Sequence, residues 1–385
     1  MKKPNFLINF ILGFFLRIFA FIKGQRIIKK CKINGPAIIL SNHTSFYDFL
    51  YTISAMYPKR VTYLAAKKFF YEPKMRFVMK LARAIPKSLL TADPVATLNL
   101  FRILKQNGIV GIFPEGQISA IGKTLPLSFA ITKLIKKAKV DVYIVKHYGA
   151  GLANPPWSTK TFKGRIETVK ELIITKEELK TLSSQEIYDI VSNKLEYSAW
   201  KDNFAKKYKY KINDVDNLEN VIYQCPNCLH EGLIAKKNQL ICPACNHVLT
   251  YDEFGLLNGR SVEELFLEQE KRIRNKIDSD KDFTVSEETR LMSFRDNLLV
   301  EVGSGVLTIK DFEYIYNGTV DNEVKEIRFN AKNIPSLPSD IGRNIQIYDG
   351  EMIYQFELKN KFMPTKMVHI GEYLYQLSNK EEEKE

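Results

Sequence analysis

The sequence predicts a chain of three parts: an α/β layer fold with a largely parallel sheet, a small four-cysteine module, and a small antiparallel β domain at the end. Three observations carry this. From Gly35 to about Lys170, short apolar runs alternate with longer helical patterns, the order that builds a sheet covered by helices. Cys225, Cys228, Cys242 and Cys245 fall in two tight pairs with thirteen residues between them. From Leu298 onward the pattern changes to short alternating runs rich in Val, Ile, Tyr and Phe, which reads as antiparallel strands.

The layered part is expected to use Ala37–Leu40, Val61–Ala65, Ile109–Phe113, Val142–Val145 and Arg165–Val169 as strands, with helices over Pro73–Arg83, Pro94–Gln106 and Pro126–Lys139. A closing helix, with Thr175-x-x-Glu178 and Ser183-x-x-Glu186 as candidate capping boxes, carries it to about Trp200. The domains expected are 1–24 as a membrane-interface helix, 25–203 as the α/β domain, 204–220 as a linker and 221–250 as the cysteine module. Residues 251–290 follow as a helical linker, 291–378 as the β-rich domain and 379–385 as a charged tail. Val368–Gln376 is read as a capping helix on the β domain, which is faintly similar to pleckstrin-homology or GRAM-like modules.

At 385 residues, two or three domains are the natural expectation. Hydrophobic residues at 45% and charged residues at 26% exclude wholesale disorder and a multi-span membrane protein. The net charge of +13 means attraction to an anionic surface, either nucleic acid or an anionic lipid leaflet. Lys206-Lys207-Tyr208-Lys209-Tyr210-Lys211 suits either, or is a solvated helix end. Base-stacking aromatics and Arg-rich contacts are not identifiable, so no nucleic acid is expected.

The opening run Phe6–Ile22 is flanked by Lys2 and Lys3 before and by Lys23, Arg26, Lys29 and Lys30 after. Arg17 lies inside it and no small-x-small cleavage site ends it, which sets it apart from a signal peptide. Its 17 residues reach about 25 Å as a helix, short of a hydrocarbon core of about 30 Å. Asn5, Asn9, Gly13 and Arg17 recur every four residues and draw one polar stripe on an apolar surface. That is the pattern of a helix lying in a membrane interface, preferred over a crossing or buried helix. A peripheral or monotopic protein on the cytoplasmic face of the membrane is expected.

Two Cys-x2-Cys knuckles at this separation supply four thiolates to a tetrahedral zinc ion, with paired disulfides or a redox site as competitors. Four cysteines complete the coordination, leaving His230 and His247 outside it and no open position for water, so a zinc here is structural.

The chemistry is placed at Asn42-His43-Thr44-Ser45-Phe46-Tyr47-Asp48, just after the first apolar strand. An imidazole becomes a useful general base near neutral pH when a carboxylate holds its second nitrogen. Five steps along a helix rotate about 500°, so His43 must lie in a strand-to-helix turn and Asp48 in the first helical turn beyond. The competing reading is a capping segment, with Asn42 or Ser45 as N-cap. A second strand ends in Phe113-Pro114-Glu115-Gly116.

Asn-His-x4-Asp followed some seventy residues later by Phe-Pro-Glu-Gly resembles the glycerolipid acyltransferase family, which includes the 1-acylglycerol-3-phosphate (lysophosphatidate) acyltransferases. The resemblance covers roughly Gly24 to Asn203 and includes Ala66-Lys67-Lys68 and Ala84-Ile85-Pro86. It implies an acyltransferase core and transfer of an acyl group from acyl-CoA or acyl-carrier protein to the hydroxyl of a lysophospholipid at an anionic membrane surface. His43 would be the base and Asp48 its orienter, with Thr44 or Ser45 as a nucleophile the lesser alternative. Asn42, Glu115 and Gly116 fall on the substrate-binding side. The other class of function is a membrane-associated binding or scaffolding protein with a decayed core, which the retained His43, Asp48, Glu115 and Gly116 speak against.

Two departures from the family bear on the acceptor. Gln117-Ile118-Ser119 follows Gly116 where the family reads Thr-Arg-Ser, so Ile118 stands at the Arg position. Lys87-Ser88-Leu89 follows Ile85-Pro86 where relatives commonly carry Asp-Arg. Lys87 is the candidate phosphate-binding substitute, as a point charge instead of a fork. Lysophosphatidate then need not be the acceptor.

Overall fold

The computed structural model describes residues 1–88, 93–295, 298–350 and 352–382. It divides into two units, 1–212 with 253–255 and 213–252 with 256–385. Leu89 of the Lys87-Ser88-Leu89 run and the end of the charged tail, 383–385, lie outside the described residues.

The first unit runs α1 (Phe6–Ile22), β1 (Gln25–Lys29), β2 (Ala37–Leu40), α2 (Asp48–Met56), β3 (Val61–Ala66), α3 (Pro73–Ala82), β4 (Ile85–Lys87), α4 (Pro94–Leu104) and β5 (Ile109–Ile112). It continues with α5 (Ala130–Ala138), β6 (Asp141–Tyr148), α6 (Ala150–Ala153), β7 (Ile166–Ile174), α7 (Ser184–Leu195) and α8 (Ala199–Lys206). The sheet order is β1-β7-β6-β2-β5-β3-β4. β6, β2, β5, β3 and β4 are parallel, and β7 turns back antiparallel to β6 with β1 parallel to it. This is the largely parallel sheet that the alternation predicts.

Strand β2 reads as an unbroken apolar run because both of its faces are covered. Ile38 and Leu40 pack with Leu100, Ile103, Ile135 and Val191 on one side, while Ala37 and Ile39 pack with Ala55, Met56 and Tyr143 on the other. Each Leu, Ile, Val or Met side chain among them stabilises the layer by about 1.5–3 kcal/mol when fully buried. Helix starts are set locally. Asp93 caps α4 through Ala96 N–H with Pro94 in the first turn, and Ser183 with Glu186 forms a full capping box on α7. The Thr175–Glu178 pair also exchanges hydrogen bonds, but starts only a short 3-10 turn, Glu178–Lys180.

Helix α1 docks on the turn after α2 by its polar line. Asn5 caps the helix, Asn9 donates to the Pro58 carbonyl, the Arg17 guanidinium lies over the Tyr57 ring, and a Cβ on Gly13 would stand 2.9 Å from that ring. The stripe expected to be the wet side of an interface helix is thus the side facing the protein, because main-chain and aromatic partners wait there. The outer side is apolar and bare: Phe6, Leu7, Phe15, Phe21 and Ile22 are each 60% exposed or more. No helix among the described residues is long and apolar enough to cross a membrane.

The stretch 204–220, expected as a linker, is packed. Lys206 pairs with Glu167 and Asp202, the Tyr208 hydroxyl donates to Glu167, and the buried Tyr210 donates to the Arg165 carbonyl. Of the two tyrosines in the basic run, Tyr210 therefore faces inward, while Tyr208 is held at its hydroxyl by Glu167. Its last residues, 213–220, belong to the second unit.

In that unit the ribbon strands β8 (Ile234–Lys236), β9 (Gln239–Ile241) and β10 (Val248–Thr250) pair antiparallel. The short hairpin β11 (Leu256–Leu257) and β12 (Arg260–Ser261) leads into α9 (Val262–Ser279). A seven-stranded antiparallel sheet follows, β13 (Thr284–Arg295), β14 (Leu298–Lys310), β15 (Glu313–Val320), β16 (Glu323–Asn330), β17 (Ser339–Asp340), β18 (Asn344–Asp349) and β19 (Met352–Leu358), in the order β16-β15-β14-β13-β19-β18-β17. The helix α10 (Met363–Glu382) closes it.

The β domain thus starts at Thr284 instead of 291. The runs at 298–302 and 306–309 are one strand: the break between them holds Gly303, where the Thr319 main chain leaves no room for a Cβ. Met367 and Ile370 of α10 meet Tyr314, Tyr316, Ile345 and Phe356 of the sheet in one core. The ribbon leans on the two helices. Gln269 donates to the Val221 carbonyl, Thr365 to the Asn220 carbonyl, Tyr223 stacks on Phe362 at 5.4 Å, and Lys366 pairs with Glu231.

Candidate active site and metal centre

The turn between β2 and α2 is held by its own residues. Asp48, the first residue of α2, is fully buried. Its Oδ2 accepts from Thr44 N–H at 2.7 Å and Ser45 N–H at 2.8 Å and lies 3.2 Å from His43 Nδ1. A carboxylate at a helix N-terminus is stabilised by the helix dipole, and here it folds the turn while holding the imidazole. Its other nitrogen, Nε2, is the one left for a reacting group, and the His43 side chain keeps 17% of its surface exposed.

A second loop fixes the main chain of His43. Glu115, at the end of β5, accepts the His43 N–H at 2.7 Å through Oε1 and the Leu125 N–H at 2.9 Å through Oε2. Ser119 N–H donates to the His43 carbonyl at 2.9 Å. Burial pushes the Glu115 carboxyl up to about 8, opposed by these two N–H donors and helped by the nearby Asp48 charge. The motif's proline-containing turn closes with Gly116 N–H on the Phe113 carbonyl. Gly116 has φ +75°, and a side chain there would meet nothing within 4 Å. Glycine is needed for the backbone conformation, and the space beside it is open to a ligand.

The imidazole is also stacked. The Phe113 ring lies 4.2 Å from the His43 ring and the Tyr63 ring 6.0 Å from Phe113, both nearly parallel. Tyr63 reaches this position by crossing Gly111.

Of the residues expected to bind substrate, Asn42 is fully buried. Its amide donates to the His147 carbonyl and accepts the His147 N–H, both at 2.9 Å, so it ties β2 to β6. Lys87 ends β4, three strands from β2, or about 14 Å at the usual spacing. Burial lowers its pKa, Asp93 raises it, and the neighbouring Lys67 lowers it further. The Ser45 hydroxyl donates to the Asn154 carbonyl, away from the role of a nucleophile. Sequence reasoning passed over Phe113 as a ring support, Ser119, and His147. The signal for the last was a polar Lys146-His147 pair closing an apolar strand.

In the ribbon, the ligand atoms of Cys225, Cys228, Cys242 and Cys245 all lie within 4.8 Å of one another, and all four thiols are free. Cys225 and Cys245 are 3.7 Å apart at sulfur and Cys228 and Cys242 3.6 Å. A tetrahedron with Zn–S bonds of about 2.3 Å has edges of about 3.8 Å, so the four sulfurs fit such an ion. The two knuckles repeat one hydrogen bond: Cys225 N–H donates to the His230 carbonyl and Cys242 N–H to the His247 carbonyl. The two histidines act through their main chain.

The paired His43 and Asp48 follow one parallel strand and the Glu115-Gly116 turn follows its neighbour, and both lie within residues 21–147, which match the family model for Acyltransferase. This part of the chain is an acyltransferase domain. The chain is also similar to a solved structure, the 1-acyl-sn-glycerophosphate (LPA) acyltransferase PlsC from Thermotoga maritima, with 18% identity over 52% of this chain and 78% of that one and a TM-score of 0.40.

Proposed function

We propose that the protein moves a fatty acyl group from a thioester, acyl-CoA or acyl-carrier protein, to a hydroxyl of a lysophospholipid-type acceptor at a membrane surface. The observation that carries the reading is the His43 imidazole, held at Nδ1 by a buried Asp48 and on both main-chain groups by the loop after β5. In this scheme Nε2 takes the acceptor hydroxyl proton as the oxygen attacks the thioester carbonyl. The tetrahedral intermediate collapses with loss of the thiolate, which receives the proton from His43. Base catalysis of this kind contributes about 10²- to 10⁴-fold.

The acceptor is read from the departures at Ile118 and Lys87. Lys87 and Lys67 both act on Asp93, a cationic pair at the edge of the sheet that suits a phosphate without an Arg fork. A lysophospholipid with a headgroup, or another lipid hydroxyl, is then used at least as well as lysophosphatidate. The bare apolar side of α1 supports peripheral or monotopic attachment, with the cytoplasmic face as the side. The four ribbon cysteines would hold a structural zinc.

The test is a panel of lysolipids with labelled acyl-CoA and acyl-carrier protein. The expected result is transfer by the wild type, loss in His43→Ala, a large fall in Asp48→Asn, and weaker use of phosphate-bearing acceptors in Lys87→Ala. Near-normal turnover in His43→Ala would sink the mechanism. A strong lysophosphatidate preference that survives Lys87→Ala would overturn the acceptor reading.

A further inference from the structure

Both ends of the Asn42–Asp48 motif are tied to one buried residue, His147 on β6. Its main chain exchanges two hydrogen bonds with the Asn42 side chain. Its ring is fully buried, with Nε2 2.8 Å from Thr52 Oγ1 on α2 and Nδ1 3.0 Å from Thr168 Oγ1 on β7. Thr52 Oγ1 donates in turn to the Asp48 carbonyl at 3.0 Å. At the other end, the Gln25 amide donates to Thr168 Oγ1 and to the Tyr51 carbonyl, each at 2.8 Å.

The proton count gives this chain a direction. A hydroxyl has one proton to donate, and if that of Thr52 goes to Asp48, His147 must carry its proton on Nε2. Nδ1 then accepts from Thr168, and Thr168 accepts from Gln25. Each donor meets an acceptor, from Gln25 through Thr168, His147 and Thr52 to Asp48, with the Ser41 hydroxyl, 3.4 Å from Thr52 Oγ1, then placed as a donor to it. In the opposite sense Nδ1–H would point at Thr168, whose own proton would find no acceptor among the described residues.

We propose that His147, as a neutral ring protonated on Nε2, is a positioning residue that sets the His43–Asp48 pair through Thr52 and Asn42. The proposal rests on the reading of His43 as the base. The charged groups facing His147 are Asp48 and His43, and burial lowers its pKa to about 4, which keeps the ring neutral at working pH. A catalytic pair needs its supports held this way, because small misplacements from outside the reacting atoms are costly in rate.

The test uses the full chain, labelled with ¹⁵N for ring-nitrogen spectra, with His147→Gln to assign the signal. Wild type is expected to show His147 neutral and protonated on Nε2 at pH 7. Thr168→Val should disturb the ring signals of both His147 and His43 and lower kcat on the order of tenfold with KM unchanged. Thr168→Ser, which keeps the hydroxyl, should restore both. A His147 ring protonated on Nδ1, or a Thr168→Val protein with wild-type kcat and His43 signals, overturns the proposal. If the wild type moves no acyl group, the functional reading falls, while the His147 and His43 signals still decide whether this strut exists.

Discussion

Glu115 holds the backbone of His43. Its Oε1 accepts the His43 N–H at 2.7 Å while its Oε2 accepts the Leu125 N–H, so one buried carboxyl joins the two motifs of the site. A glutamine offers one acceptor oxygen and would turn an NH₂ toward the other N–H. Glu115→Gln should cost about 1–3 kcal/mol of stability and lower kcat by about 10- to 100-fold, read in a thermal melt and an acyl-transfer assay. A variant with wild-type melting and turnover would refute this role.

The same residue sets a pH dependence. Its pKa rises from 4.5 to about 8 on folding, so between those values the folded chain binds more protons than the unfolded one. This contribution to stability therefore falls as pH rises through that window. His147 works in the opposite sense below pH 6.5. Melts of wild type and Glu115→Gln at pH 7 and pH 8.5 separate the two, with the larger loss expected in wild type.

His369, in the second unit, is buried with no hydrogen-bond partner on either ring nitrogen among the described residues. Burial first, and Arg274 second, lower its pKa to about 3. The stability it permits is complete above pH 6.5 and is lost as pH falls toward that value. His369→Leu removes an unsatisfied polar group and is expected to raise stability by about 1 kcal/mol and to soften the acid loss. A lower melting temperature at pH 5 in the variant would contradict this.

Chelation should act on the ribbon and reach further. The ribbon leans on α9 and α10 through Gln269, Thr365 and Phe362, so loss of metal is expected to loosen those helices, since binding and folding are coupled in such modules. Elemental analysis should find one zinc per chain. Hydrogen exchange before and after chelation should show faster exchange in 221–250 and in both helices, with the His43 turn unchanged.

Helix α1 offers a separable test. Replacing Leu7 and Ile22 with Ser strips apolar surface that is 63% and 66% exposed, and should release the chain from vesicles without changing its melt. Replacing Gly13 with Leu collides with Tyr57 and should lower the melting temperature instead. Sedimentation with vesicles and calorimetry read the two effects, and equal behaviour of both variants would show that the helix is not oriented as described.

Much of the architecture was legible because buried parallel strands and cysteine knuckles write themselves into short spacings. The His43–Asp48 turn was legible for the same reason: a five-residue separation admits few geometries. The parts not legible are those that depend on distant partners. Nothing local in Asn42 indicates that its amide faces β6, and nothing in the stripe on α1 tells whether it faces water or protein, since either satisfies the same side chains. The early start of the β domain was missed because the alternation along β13 places charged and polar residues on its open face.

The docking line of α1 is one residue wide and repeats every four positions, so along most of this helix selection can hold the count of residues more firmly than their identity. One insertion or deletion between Asn9 and Arg17 turns one end of the line about 100° away from the other, and no exchange of side chains repairs that. Swaps among Phe, Leu and Ile on the outer side change little that touches the protein. Over evolutionary time the segment should drift in its letters and stay fixed in its length, scoring as variable position by position while its register persists.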